Sequence, residues 1–149
     1  MRPMDYVAEG LHSPVFHYPY EQTRNALINL EKAGEIDPFH GIKMQYLNPN
    51  TGEPAMPTLD CYMQLLPPEM ETQEYQSTAT WVYSVVEGEG KTIINGIEYK
   101  WGPKDVFVVP GWLPHHHVCD EKDAFLFSFT DKALHEKLGL FREKRGNLI

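Results

Sequence analysis

Asn95-Gly96 lies between two β-rich runs, Thr92-Ile93-Ile94 and Ile97-Glu98-Tyr99. Both residues of a tight two-residue hairpin turn need positive φ, which Asn and Gly adopt at least cost, so the chain must reverse here into an antiparallel pair. The flanking sequence repeats the theme. Trp81 to Val86 is β-branched and aromatic and apolar on both faces, which predicts a central strand, and Val106 to Val109 predicts another buried one. Leu113 to Val118 and Ala124 to Phe129 complete the set, and Glu87-Gly-Glu-Gly90, Trp101-Gly-Pro-Lys-Asp105 and Pro110-Gly111 supply the turns. Short strands at this spacing predict an all-β antiparallel sandwich or barrel, and no alternation of strands with long helices supports a parallel sheet.

Upstream, Leu59, Cys61, Met63 and Leu65 alternate with Asp60, Tyr62 and Gln64, and Ile42, Met44 and Tyr46 alternate with Lys43 and Gln45. Each pattern is a strand with one apolar face. Pro19 to Ala33 predicts a helix, with Pro19 at its first position, Gly34 just past its end, and Tyr20, Ala26, Leu27 and Leu30 on one face. Asp131 is placed to cap a second helix, Lys132 to Leu138, and Arg142 to Ile149 follows as a polar tail. The expected division is an arm and helix over 1–36, a barrel over 37–131, and a helix and tail over 132–149. Val15, Phe16, Tyr18 and Tyr20 give the arm an apolar character, so it should pack on a partner subunit or on the outside of its own barrel.

The 149 residues carry a net charge of -8, which argues against a nucleic-acid surface. No apolar run has the length of a membrane span. Cys61 and Cys119 stand far apart with no C-x-x-C spacing, which reads as two reduced thiols in a cytoplasmic protein.

The chemistry-bearing feature is His115-His116-His117. On a strand His115 and His117 point one way and His116 the other. They are either two metal ligands facing into the barrel or a hydrogen-bonded cluster at its rim. His40 reads as a turn residue. Glu87 and Glu89 flank turn glycines and read as a solvated turn, and Trp81, Trp101 and Trp112 read as packing.

Met56-Pro-Thr, Gln64-Leu-Leu-Pro, Val85-Val-Glu-Gly-Glu-Gly, Trp101-Gly-Pro-Lys-Asp-Val-Phe-Val-Val-Pro-Gly-Trp and Phe127-Ser-Phe-Thr-Asp, in that order, resemble a cupin. Among cupins they are similar to the gentisate 1,2-dioxygenase family and its salicylate and hydroxynaphthoate relatives. Tyr18-Pro-Tyr-Glu-Gln-Thr-Arg resembles the lead into the second half of that family's bicupin. The resemblance implies a double-stranded β-helix (jelly-roll barrel) and a C-terminal cupin half. It also implies Fe(II) chemistry on a small aromatic acid such as gentisate, and association with itself or with an N-terminal cupin half. By family register the iron-binding His-x-His pair falls on Tyr75 and Ser77, the third histidine on His115, and a substrate-side glutamine on Gln64. The resemblance therefore leaves Gln64, Tyr75 and Ser77 as pocket residues and His115 and His117 as metal candidates. Three roles stay open: a structural half of the dioxygenase, a stand-alone single-cupin Fe(II) enzyme, and a metal-free small-molecule binder.

Overall fold

A computed structural model describes residues 17–146 of the chain. Helix α1 (Tyr20–Lys32) precedes nine strands: β1 (Ile42–Tyr46), β2 (Asp60–Leu66), β3 (Tyr75–Ser77), β4 (Trp81–Glu87), β5 (Gly90–Ile94), β6 (Ile97–Trp101), β7 (Val106–Val109), β8 (His115–Cys119) and β9 (Ala124–Thr130). Helix α2 (Lys132–Lys137) and strand β10 (Glu143–Arg145) close the chain. The strands form two five-stranded antiparallel sheets, ordered β1-β2-β9-β4-β7 and β10-β3-β8-β5-β6. This is the jelly-roll barrel, with helices only near the two ends. Both residues of the β5–β6 turn take positive φ, Asn95 at 49° and Gly96 at 81°. Among the described residues no helix is long and apolar enough to cross a membrane, and both cysteines are free thiols.

The barrel has two apolar layers. The interior gathers Leu66, Trp81, Tyr83, Val85, Trp101 and Leu126 among others. A second cluster lies outside the first sheet, where Leu27 of α1 packs on Ile42, Met63, Leu65 and Phe125. The helix amphipathicity explains the second layer: its apolar stripe needs a sheet face to cover it, and takes the apolar face of β1 and β2. Pleat alternation then turns the other face of those strands inward, so Tyr62, Gln64 and Leu66 point into the barrel. Tyr20 and Arg24 fix the helix further by bonding the Glu87 carboxylate, at 2.6 and 3.0 Å. Glu87 is thus half of a helix-to-barrel clamp.

Four expectations change. Val106 and Val108 are 63% and 48% exposed, so β7 is not a buried strand. It ends its sheet, bonded only to β4, and α1 covers the opposite end of that sheet. Residues 143–145 form β10 on β3, with Glu143 opposite Ser77 and Arg145 opposite Tyr75, so the polar tail enters the second sheet. Three residues of charged side chain carry no periodicity signal, and only the unpaired edge of β3 makes them a strand. Pro19 caps α1 rather than opening it. Asp131 precedes α2 but does not cap it by its side chain. Its Oδ1 instead accepts the Thr80 amide at 2.9 Å, and Oδ2 lies 3.2 Å from His135 Nε2.

Val15 and Phe16 lie outside the described residues. Of the arm's other apolar residues, Tyr18 sets its ring edge-on to Tyr46 at 5.4 Å and donates to the Leu47 carbonyl at 2.6 Å. Tyr20 lies against Phe125. Both run along the outside of this chain's own barrel.

Candidate functional site

Strand β8 brings the histidines into the barrel. It pairs Thr92 with His117 and Ile94 with His115 on one side, and Tyr75 with His115 on the other. His115 and His117 are only 3% and 2% exposed, with ring centroids 5.5 Å apart, while His116 points out toward Glu71 at 3.5 Å. The inward reading of the pair is the one the fold adopts. Burial drives both imidazoles to the neutral form: His115 is pushed down to about 4, and His117 well below its ordinary value. His117 Nδ1 sits 2.8 Å from the Thr92 hydroxyl, which also accepts the Trp101 indole N–H at 2.9 Å. His115 Nδ1 faces the Leu113 carbonyl at 3.4 Å.

Tyr75 and Ser77 sit beside them on β3, both buried. The Tyr75 phenol donates to Glu143 of β10 at 2.9 Å. Burial and that carboxylate raise its pKa well above the usual phenol range, so it stays protonated. The Ser77 hydroxyl accepts the Trp81 indole N–H at 3.1 Å and faces the Ala79 carbonyl at 3.4 Å. Gln64 is fully buried, and its Nε2 donates to the His40 carbonyl at 2.6 Å while its Oε1 has no partner among the described residues. His40 is more than a turn residue. Its ring meets Tyr75 edge-on at 4.6 Å, and burial, with Lys43 and Arg145 nearby, pushes it down to about 2.

Fe(II) held by a facial set of three imidazoles asks for three neutral rings converging on one point. Tyr75 and Ser77, the positions expected from the resemblance for two of these imidazoles, hold a protonated phenol and a hydroxyl, each already bonded within the protein. Among the described residues no group of three or more His, Cys, Asp or Glu is arranged to hold a metal ion. The residues present do not fit that iron site.

A cavity of about 300 Å³ opens at this end of the barrel, lined by His40, Lys43, Tyr62, Tyr75 and Trp81, with Lys132, Glu143 and Arg145 at its rim. Lys43 is the residue that strand alternation alone assigns to solvent. Because α1 takes the apolar face of β1, Lys43 points inward, and its ammonium lies 3.9 Å from the Trp81 ring centroid and 5.0 Å from that of Tyr62. Burial lowers its pKa to about 7. The signal that could have found it is α1 itself, since an amphipathic helix before two one-faced strands claims their apolar side.

Over 145 residues the chain is 51% identical to gentisate 1,2 dioxygenase 1 of Aquipseudomonas alcaligenes, a match covering 97% of this chain and 42% of that protein. This chain belongs to the gentisate 1,2-dioxygenase family, as one cupin half. It is also 44% identical to the 5-aminosalicylate 1,2-dioxygenase of Comamonas sp., over 96% of this chain and 38% of the relative. Its fold superposes on salicylate 1,2-dioxygenase from Pseudoaminobacter salicylatoxidans, solved with gentisate, at a TM-score of 0.82 and 33% identity. That superposition covers 99% of this chain and 41% of the other. The chain thus spans about two fifths of the length of the relatives it matches. No protein-family model matches it.

Proposed function

We propose that this cupin is the structural half of a gentisate 1,2-dioxygenase-like enzyme, which cleaves the ring of a small aromatic acid with Fe(II) held elsewhere. In this reading it is the C-terminal half, and it supports an N-terminal His-x-His half or the assembly of the oligomer. The observation that carries the reading is the hydrogen bonding of Tyr75 and Ser77. In this reading Tyr75 and Ser77 stand where the family has two iron imidazoles, and their hydroxyls are engaged with Glu143 and Trp81. The uncovered end of the first sheet supports a docking role. Val108, Val82 and Phe129 stand in one cross-strand row there, with Val108 and Phe129 exposed. Contiguous exposed apolar residues on a sheet face are one mark of a contact surface.

The test is ring-cleavage absorbance on gentisate after anaerobic loading with Fe(II). The isolated chain should give no rate above the iron-only blank, and co-expression with a His-x-His cupin half should restore turnover. Robust turnover by the chain alone, abolished by His115→Ala, would overturn this reading in favour of a stand-alone enzyme. If Tyr75→Phe abolished it as well, the phenol would be a ligand.

A further inference from the structure

The cavity at the barrel mouth contains one cation, Lys43, that makes no ion pair with any described carboxylate, although Asp37 acts on it from farther away. Arg145 reaches Asp37 at 3.5 Å and Glu143 at 3.4 Å, and Lys132 reaches Glu136 at 3.6 Å. Lys43 has no carboxylate partner among the described residues. It faces rings instead: Trp81 at 3.9 Å, Tyr62 at 5.0 Å and Tyr83 at 5.8 Å from its Nζ. Ring faces offset part of the cost of a half-buried ammonium, but they are weaker partners than an anion. Around it the walls are flat and apolar, from Tyr62, Tyr75 and Trp81, and His40 adds a neutral imidazole that can donate or accept.

We propose that this mouth is a metal-free binding site for a small planar monocarboxylate, with Lys43 pairing the carboxylate and the aromatic walls holding the flat body. One cation matches one negative charge. A phosphate dianion would ask for several converging donors, and Arg145 and Lys132 are already paired. The volume, about 300 Å³, lies at the small end of ligand pockets and suits a single ring. The carboxylates at the rim, Glu35, Asp37 and Glu143, disfavour a second negative charge on the ligand. Burial that lowers the Lys43 pKa also makes an arriving anion more valuable, since the anion holds the proton in place.

The experiment is calorimetric titration of the chain with benzoate in the presence of a metal chelator. Benzoate lacks the hydroxyls that ring cleavage of a gentisate-like substrate needs, and the chelator removes iron, so binding here is independent of any turnover. Benzoate should bind, cyclohexylamine should not, and inorganic phosphate should bind at least tenfold more weakly. Lys43→Met should weaken benzoate at least tenfold while its circular dichroism matches the parent. Undiminished benzoate affinity in Lys43→Met, or equal affinity for phosphate, would overturn the proposal. Should Lys43→Met fail to fold, the unmodified protein still decides the matter. Benzoate should then protect Lys43 from an amine-acylating reagent at pH 8, read by peptide mass spectrometry, and Lys43 labelling unaffected by saturating benzoate would count against the site.

Discussion

Acidification from pH 7.5 to pH 5 should remove about 2 kcal/mol of stability through His115 alone, with a further loss of the same sign through His117, on the linkage between folded and unfolded pKa values. The sign follows from the direction of the shifts. Both imidazoles are held neutral, His115 down to about 4 and His117 well below its ordinary value, with burial the largest cause. Above the ordinary histidine value of about 6.5 both states are neutral and nothing is lost. Below it the unfolded chain takes up protons that the barrel refuses, so stability falls as pH drops toward the folded value. His115 then contributes a loss of about 2 kcal/mol at pH 5, and His117 adds a loss of the same sign. His40, pushed down to about 2 chiefly by burial, adds a loss of the same sign. The Glu87 carboxylate, lowered by its bond to Arg24, acts in a more acidic window. Against the roughly 5–15 kcal/mol of an ordinary domain, this loss is large. Urea unfolding in chelator at pH 7.5, 6 and 5 measures it. A curve of stability that stays flat over that range would show that the imidazoles are hydrated or already charged in the fold. His117→Gln should make the curve shallower by about one proton, at some cost in stability at pH 7.5.

Gly90→Ala should destabilise the barrel by about 3 kcal/mol or more, at the upper end for overpacking. A Cβ at Gly90 would stand 2.3 Å from the Val118 carbonyl oxygen and 2.6 and 2.9 Å from the Trp101 ring. Neither neighbour can retreat. Gly90 begins β5, paired with Cys119 on one side and Trp101 on the other, and the Trp101 indole is anchored to Thr92. Gly96→Ala is the control. Gly96 has open space around it, so only its φ of 81° is strained by a side chain, a cost of about 1 kcal/mol. The midpoint of urea unfolding should rank the parent, then Gly96→Ala, then Gly90→Ala. A Gly90→Ala protein as stable as the Gly96→Ala protein would mean that β5 and β8 can separate there, contrary to the packing described.

Local chemistry sufficed for most of the strand plan. Asn95-Gly96 forces a hairpin because few residue pairs tolerate two successive positive φ values. The alternation in β1 and β2 marks them as strands wherever they end up. The same period placed His115 and His117 on one face of β8, and the fold turned that face inward. What alternation could not decide was which face of β1 and β2 meets the interior. That choice belongs to α1, which lies against those strands and takes their apolar side, sending Lys43 and Gln64 inward. In the same way the apolar run of β7 reads as buried from its own residues, and only its place at the end of a sheet leaves Val106 and Val108 in solvent. The short charged strand β10 exists because β3 presents a free edge to it, and through Glu143 it sets the state of the Tyr75 phenol. Backbone periodicity is a local property and can be read along the chain. Which face is covered, and by what, depends on elements distant in sequence, and that is where Lys43, the Tyr75–Glu143 bond and the cavity they share were decided.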